Sequence, residues 1–227
     1  MSGFANLDYI AFALFVGAWL AYYSYVEFSS RGKESLNALM HQTRFEWMRR
    51  CYERENRIFD AQIMGSLQNG TAFFASSAFL AVGGTLSALG FADAALEVFQ
   101  ALPFTTPTTR AAFEIKVLGL ATIFAYSCFK LVWAYRLFNY VAILMGTMPI
   151  LGSTDKEAIE TSIQRAARMN ISAARHFNRG LRAYFFAIAY LGWFAGPYAF
   201  MLTTIIVAVV LWRRQFTSDS GEAASWS

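Results

Sequence analysis

Residues Val117 to Leu137 read VLGLATIFAYSCFKLVWAYRL, with Lys130 and Arg136 as the only charges. A helix rises about 1.5 Å per residue, so roughly 20 apolar residues cross the ~30 Å of hydrocarbon in a bilayer. This stretch therefore predicts a transmembrane helix. Three further windows meet the same test: Ile10 to Phe28, Gly65 to Leu89 and Tyr184 to Trp212. Gly196 and Pro197 are expected to kink the last of them. The composition agrees, since 56% of the 227 residues are hydrophobic and only 15% charged, with a mean hydropathy of +0.36. Such a chain is neither disordered nor, with two cysteines, a disulfide-built secreted fold. The first window should remain as an anchor rather than be cleaved, because no basic residue precedes it in Met1 to Leu7.

Basic residues in short loops resist translocation and so set orientation. Ser29 to Met64 carries seven Lys or Arg and Pro149 to Ala183 carries six, whereas the remaining loops and tail share Arg110, Lys116, Arg213 and Arg214. Both basic segments are expected in the cytoplasm of a bacterial inner (plasma) membrane, with both termini extracytoplasmic. The net charge of +4 then reflects topology, and nucleic acid is a poor partner for it.

Both segments read as helices. No proline precedes Pro103, so Ser35 to Leu89 is expected to run as one helix out of the cytoplasm and through the second span. Phe45, Met48, Tyr52, Phe59 and Ile63 give it an apolar stripe. Thr154 followed by Glu157 fits a capping box that starts the second extension. Phe91, Ala94, Ala95, Val98, Phe99 and Leu102 form the apolar face of a short helix on the outer interface, ended by Pro103. The expected fold is thus an all-α membrane protein: one domain over 1–216 with four spans, two long cytoplasmic helical extensions and an outer interfacial helix. The tail 217–227 needs no fold, and its last four residues read as the start of a purification tag.

Several stretches, taken in order, resemble a known family. They are Arg49-Arg50-Cys51-Tyr52-Glu53-Arg54-Glu55-Asn56-Arg57 through Gln62, Gly65-Ser66-Leu67-Gln68-Asn69, Phe113-Glu114-Ile115-Lys116, Phe129-Lys130, Tyr135 through Tyr140, and Ala174-Arg175-His176-Phe177-Asn178-Arg179-Gly180-Leu181-Arg182. The chain is similar over nearly its whole length to domain of unknown function 599. The resemblance implies a multi-pass bacterial membrane protein and carries no activity.

Ionisable groups deep in a span usually face protein or a wet cavity. Lys130, Arg136, Asn139 and Glu27, with Gln62, Ser66 and Asn69 on one face of the second span, are therefore the candidate solute pathway. Snorkelling of Lys130 and plain helix packing of the polar face remain alternatives. A Glu27 to Arg136 pair is sterically plausible. Glu46, Arg50, Glu53, Arg57 and Asp60 form one charge stripe on the first extension. Arg165, Arg168, Arg175, Arg179 and Arg182 form another on the second. Pairing of Asp60 and Glu53 with Arg179 and Arg175 is expected, with anionic lipid as the other counter-charge.

His41 and His176 have no neighbour at a metal-ligand spacing, so neither a metal, a cofactor nor a catalytic residue is expected. The reading that follows is a homo-oligomeric channel or carrier for a small, anionic solute. A non-catalytic membrane scaffold or regulatory subunit that binds a protein partner or anionic lipid is the alternative, and a membrane enzyme, with slight support from His41, His176 and the carboxylates, is the third class.

Overall fold

The structure, a computed structural model, describes residues 4–29, 35–101 and 108–216. Arg31, Lys33, Leu102, Pro103 and the tail 217–227 lie outside the described residues. All regular structure among the described residues is helical, in seven helices: α1 (Asn6–Phe28), α2 (Leu36–Glu53), α3 (Ile58–Gly90), α4 (Ala92–Ala101), α5 (Arg110–Gly146), α6 (Lys156–Ala195) and α7 (Pro197–Phe216). Among these, α1, α3, α5 and α7 are long and apolar enough to cross a membrane.

Length organises the bundle. At 1.5 Å per residue the 33, 37 and 40 residues of α3, α5 and α6 make rods of about 50 to 60 Å, while α1 and α7 reach only about 30 to 35 Å. The three rods therefore run through two storeys. The top storey, which carries α4, is completed by α1 and α7 around Phe15, Phe186, Tyr190, Trp193 and Phe200. The bottom storey is completed by α2 around Met48, Met64, Leu137, Phe138, Val141 and Ile163. Small residues hold the rods close together. Ser127 Oγ donates to Gly180 O at 2.8 Å, and a side chain at Gly180 would meet the Leu131 side chain.

The expected continuous helix from Ser35 to Leu89 is broken at Arg54–Arg57. No proline is needed for this: Ile58 N donates to the Asn56 side chain at 2.9 Å, a local bond that competes with the helical ladder. The chain then folds back, which brings Trp47 Nε1 to Asp60 at 2.8 Å. As a result α2 runs antiparallel to α6, with Asn37 against Asn178 and Arg49 against Glu160. The second extension starts one residue later than its capping-box reading, because Asp155 is the cap and its Oδ1 accepts from Ala158 N.

The fourth window is a reversal rather than a kinked span. Gly196 has φ 134°, a backbone that an L side chain resists, and Pro197 opens α7. Thr203 Oγ1 donates back to Ala189 O at 2.7 Å, and Trp193 stacks on Phe200. The C-terminal half of α6 thus lies antiparallel to both α1 and α7. Asp8 at the start of α1 accepts from Trp193 at the top, whereas Tyr25 near its end packs on Trp212 of α7. The start of α1 and the end of α7 therefore lie at opposite ends of the top storey.

Candidate functional site

The residues expected to form a pathway are not brought together. Gln62, Ser66 and Asn69 are exposed on the outer face of α3. Asn139 instead accepts from Gln68 at 2.7 Å. Lys130 is half-buried, with Nζ 5.4 Å from the Tyr126 ring centre. Arg136 is exposed, donates to Tyr140 Oη at 2.8 Å and lies over the Trp133 and Tyr140 rings. It is not the partner of Glu27, because α1 packs on α6 and α7 while Arg136 points out of the bundle.

Glu27 is held by α6. Arg179 donates to it from Nε at 3.2 Å and Nη2 at 3.0 Å, and Arg182 Nη2 donates at 3.1 Å. Arg179 and Arg182 share a helical face three residues apart, which is why one carboxylate can meet both.

The expected pairing between the charge stripes takes other partners. Asp60 is fully buried at the bottom, where it accepts from Trp47 and pairs with Arg54. It lies far from Arg179 because α2 folds back on α3. Glu46 and Glu53 pair with Arg50 on their own helix, and Arg168 donates to Gln164 on α6. Arg49 with Glu160 is the ion pair that does join α2 to α6, at 3.3 Å.

At the waist between the storeys lies a cavity of about 250 Å3, bounded by Glu27, Ser35, His41, Arg175, Asn178 and Arg182. The Ser35 side chain caps α2 by accepting from Ala38 N, which sets the first turn of α2 over this space. Burial is the main cause that pulls the His41 pKa below its ordinary value, with Arg175 and Arg44 adding to it and Glu27 opposing. The imidazole is thus neutral at pH 7. Arg44 donates to Asn170 Oδ1, and burial works against its charge.

The guanidinium groups of Arg175 and Arg182 line this cavity with one carboxylate, Glu27, which Arg179 also engages. Among the described residues, Arg182 Nη1 beside this cavity and Arg44 Nε and Asn170 Nδ2 away from it are buried nitrogens with no acceptor. A buried donor left unpaired costs about 1 to 3 kcal/mol, and more when charged.

Other reactive groups are quiet. Cys51 is buried and its thiol is pushed up to about 11, mainly by burial, so it stays protonated at neutral pH. Cys128 is a free thiol. No group of three His, Cys, Asp or Glu suited to a metal occurs among the described residues.

Arg44, Asn170 and Asn178 were not singled out from sequence. The signal for Asn170 was present, since it sits between Ala166–Ala167 and Ala173–Ala174 on the face of α6 that is buried.

The fold and its waist define an all-α protein with four membrane-capable helices and an arginine-rich cavity between two apolar cores. The chain belongs to the DUF599 family, described as a protein of unknown function, whose family model matches residues 10–220. Comparison with curated proteins and with solved structures gave no match.

Proposed function

We propose that this protein is a bacterial inner-membrane carrier that takes up a small anionic solute at the waist from the cytoplasmic side. The observation that carries the reading is the cavity whose Arg175 and Arg182 outnumber Glu27 and whose Arg182 Nη1 is unpaired. In this reading the bottom storey is cytoplasmic, and the C-terminal half of α6 makes a fifth crossing beside α1. Arg213 and Arg214 in the last turn of α7 then join the basic side. The start of α1 faces out and the end of α7 faces in. The rings of Phe15, Tyr190 and Phe200 close the way to the top, as expected of a carrier open to one side rather than of a pore.

The polar face of Gln62, Ser66 and Asn69, exposed on the outside of α3, supports self-association through hydrogen bonds to a neighbouring copy. Purified protein in liposomes, loaded with phosphate, nitrate or small carboxylates, gives the test. Flux that Arg175→Gln abolishes in folded protein supports the carrier. Binding without flux moves the reading to a regulatory subunit.

A specific feature favours a scaffold as the second reading. Ile58, Phe59, Ile150 and Leu151 are exposed at the bottom tip, around a cleft of about 860 Å3 edged by Arg54, Glu55 and Arg57. An apolar patch with a charged rim suits a protein partner.

A further inference from the structure

We infer that the ligand of the waist is an anionic amphiphile, a phosphate ester whose head sits between Arg175 and Arg182 and whose hydrocarbon chain enters a second cavity beside it. The inference rests on the anion-binding reading and adds the chemical class of what is bound.

The second cavity, of about 290 Å3, lies on the other side of the first turns of α2. It is walled by Met40, Leu67, Gly70, Phe138 and Phe177. The two spaces have Asn37, His41 and Asn178 in common, so these three side chains form the partition between them. Asn178 Nδ2 donates to Asn37 Oδ1 across it at 2.9 Å. One side of the partition therefore carries Arg175 and Arg182, and the other is mostly apolar, with the Arg44 guanidinium on its wall committed to Asn170.

An inorganic anion satisfies only the first side, and a neutral hydrocarbon only the second. A molecule with both parts uses both. The head-side donors come from two helices, His41 on α2 with Arg175 and Arg182 on α6, which suits the several oxygens of a phosphate better than the two of a carboxylate. Arg182 is 9% exposed and already commits Nη2 to Glu27 and Nε to Asn178 O. Arg175 is exposed and makes no ion pair among the described residues, so it is the cation left for the ligand's head.

The level of the site fits this ligand. Glu27 closes the apolar run of α1, so the waist lies where a bilayer's hydrocarbon gives way to headgroups. The chain cavity is lined by α2 and α3 together with Phe138 of α5 and Phe177 of α6. A leaflet phospholipid and a soluble alkyl phosphate share the required chemistry.

The test is calorimetric titration of the full chain, in nanodiscs of zwitterionic lipid, with inorganic phosphate, methyl phosphate and butyl phosphate. Burial of a methylene is worth about fourfold in affinity, so three more should make butyl phosphate up to about 60-fold tighter than methyl phosphate. Arg175→Gln should weaken both esters about tenfold. Gly70→Leu should bring butyl phosphate down to the level of methyl phosphate. A side chain there starts in open space, so the variant is expected to fold.

Equal binding of the two esters by the unmodified protein overturns the amphiphile while leaving an anion site. So does a Gly70→Leu variant that loses methyl phosphate as much as butyl. No binding of any of the three by folded protein removes the anion reading itself. Native mass spectrometry separates the sources: one phospholipid retained per chain identifies the leaflet, and butyl phosphate binding without a retained lipid identifies a soluble ester.

Discussion

Replacing Glu27 by Gln should destabilise the top storey more than any exposed charge change can. The carboxylate accepts three hydrogen bonds from two guanidinium groups, and Arg182 has a side chain only 11% exposed. Removing one partner of a buried ion pair typically costs about 3 to 5 kcal/mol, because the other charge is left without compensation. Glu27 and Arg179 keep some solvent contact, with side chains 19% and 27% exposed, so the figure is reduced here to about 2 to 4 kcal/mol. Arg179→Gln alone should cost less, about 1 to 2 kcal/mol, since Glu27 retains Arg182. If the three residues form one unit, the double variant loses at least about 1 kcal/mol less than the two single losses added together. Reversible unfolding in mixed micelles, followed by tryptophan fluorescence, reads all four proteins. A Glu27→Gln loss under about 0.5 kcal/mol, or strictly additive losses, would refute the argument that this carboxylate joins α1 to α6.

The reversal at Gly196 makes a topological prediction. With the native cysteines removed, a cysteine at Ala5 should react with an impermeant maleimide in intact cells, and one at Gln215 should react only after permeabilisation; equal labelling of both rules out the odd number of crossings. The pH dependence has a definite sign. His41 binds a proton less readily when folded than when unfolded, so its contribution is present above the unfolded value near 6.5 and is lost as pH falls through the lower folded value. His41→Gln should shrink the loss of thermal stability between pH 7.5 and 5.5, and His176, also lowered chiefly by burial, should account for part of what remains. An unchanged acid loss in His41→Gln contradicts the assignment.

The helical class and the membrane-capable stretches were legible because hydrophobic length is a property of contiguous residues. Val117 to Leu137 needs no knowledge of its neighbours. The two chain reversals were harder. At Gly196–Pro197 the signal existed: a single helix from Tyr184 to Trp212 would be about 43 Å long, well beyond the hydrocarbon, which argues for two passes. At Arg54–Arg57 the signal was one asparagine, Asn56, in a charged run that helix propensity accepts. That break decides the partner of every charge on α2, so Asp60 was assigned to Arg179 when it belongs to Arg54 and Trp47. The arginines on α6 were visible as a stripe, but the cavity they border is made by α1, α2 and α6 together. Its shape follows from tertiary packing and is not written in any one segment.

The Glu27–Arg179 bridge joins residues 152 positions apart, and α1 has its main packing partner, α7, at the other end of the chain. During synthesis at about 5 to 20 residues per second, Glu27 therefore waits roughly 8 to 30 s for Arg179 to be made. Over that interval the acidic end of the first helix stands without its arginines. Assembly of the top storey is thus a late event in the life of the nascent chain.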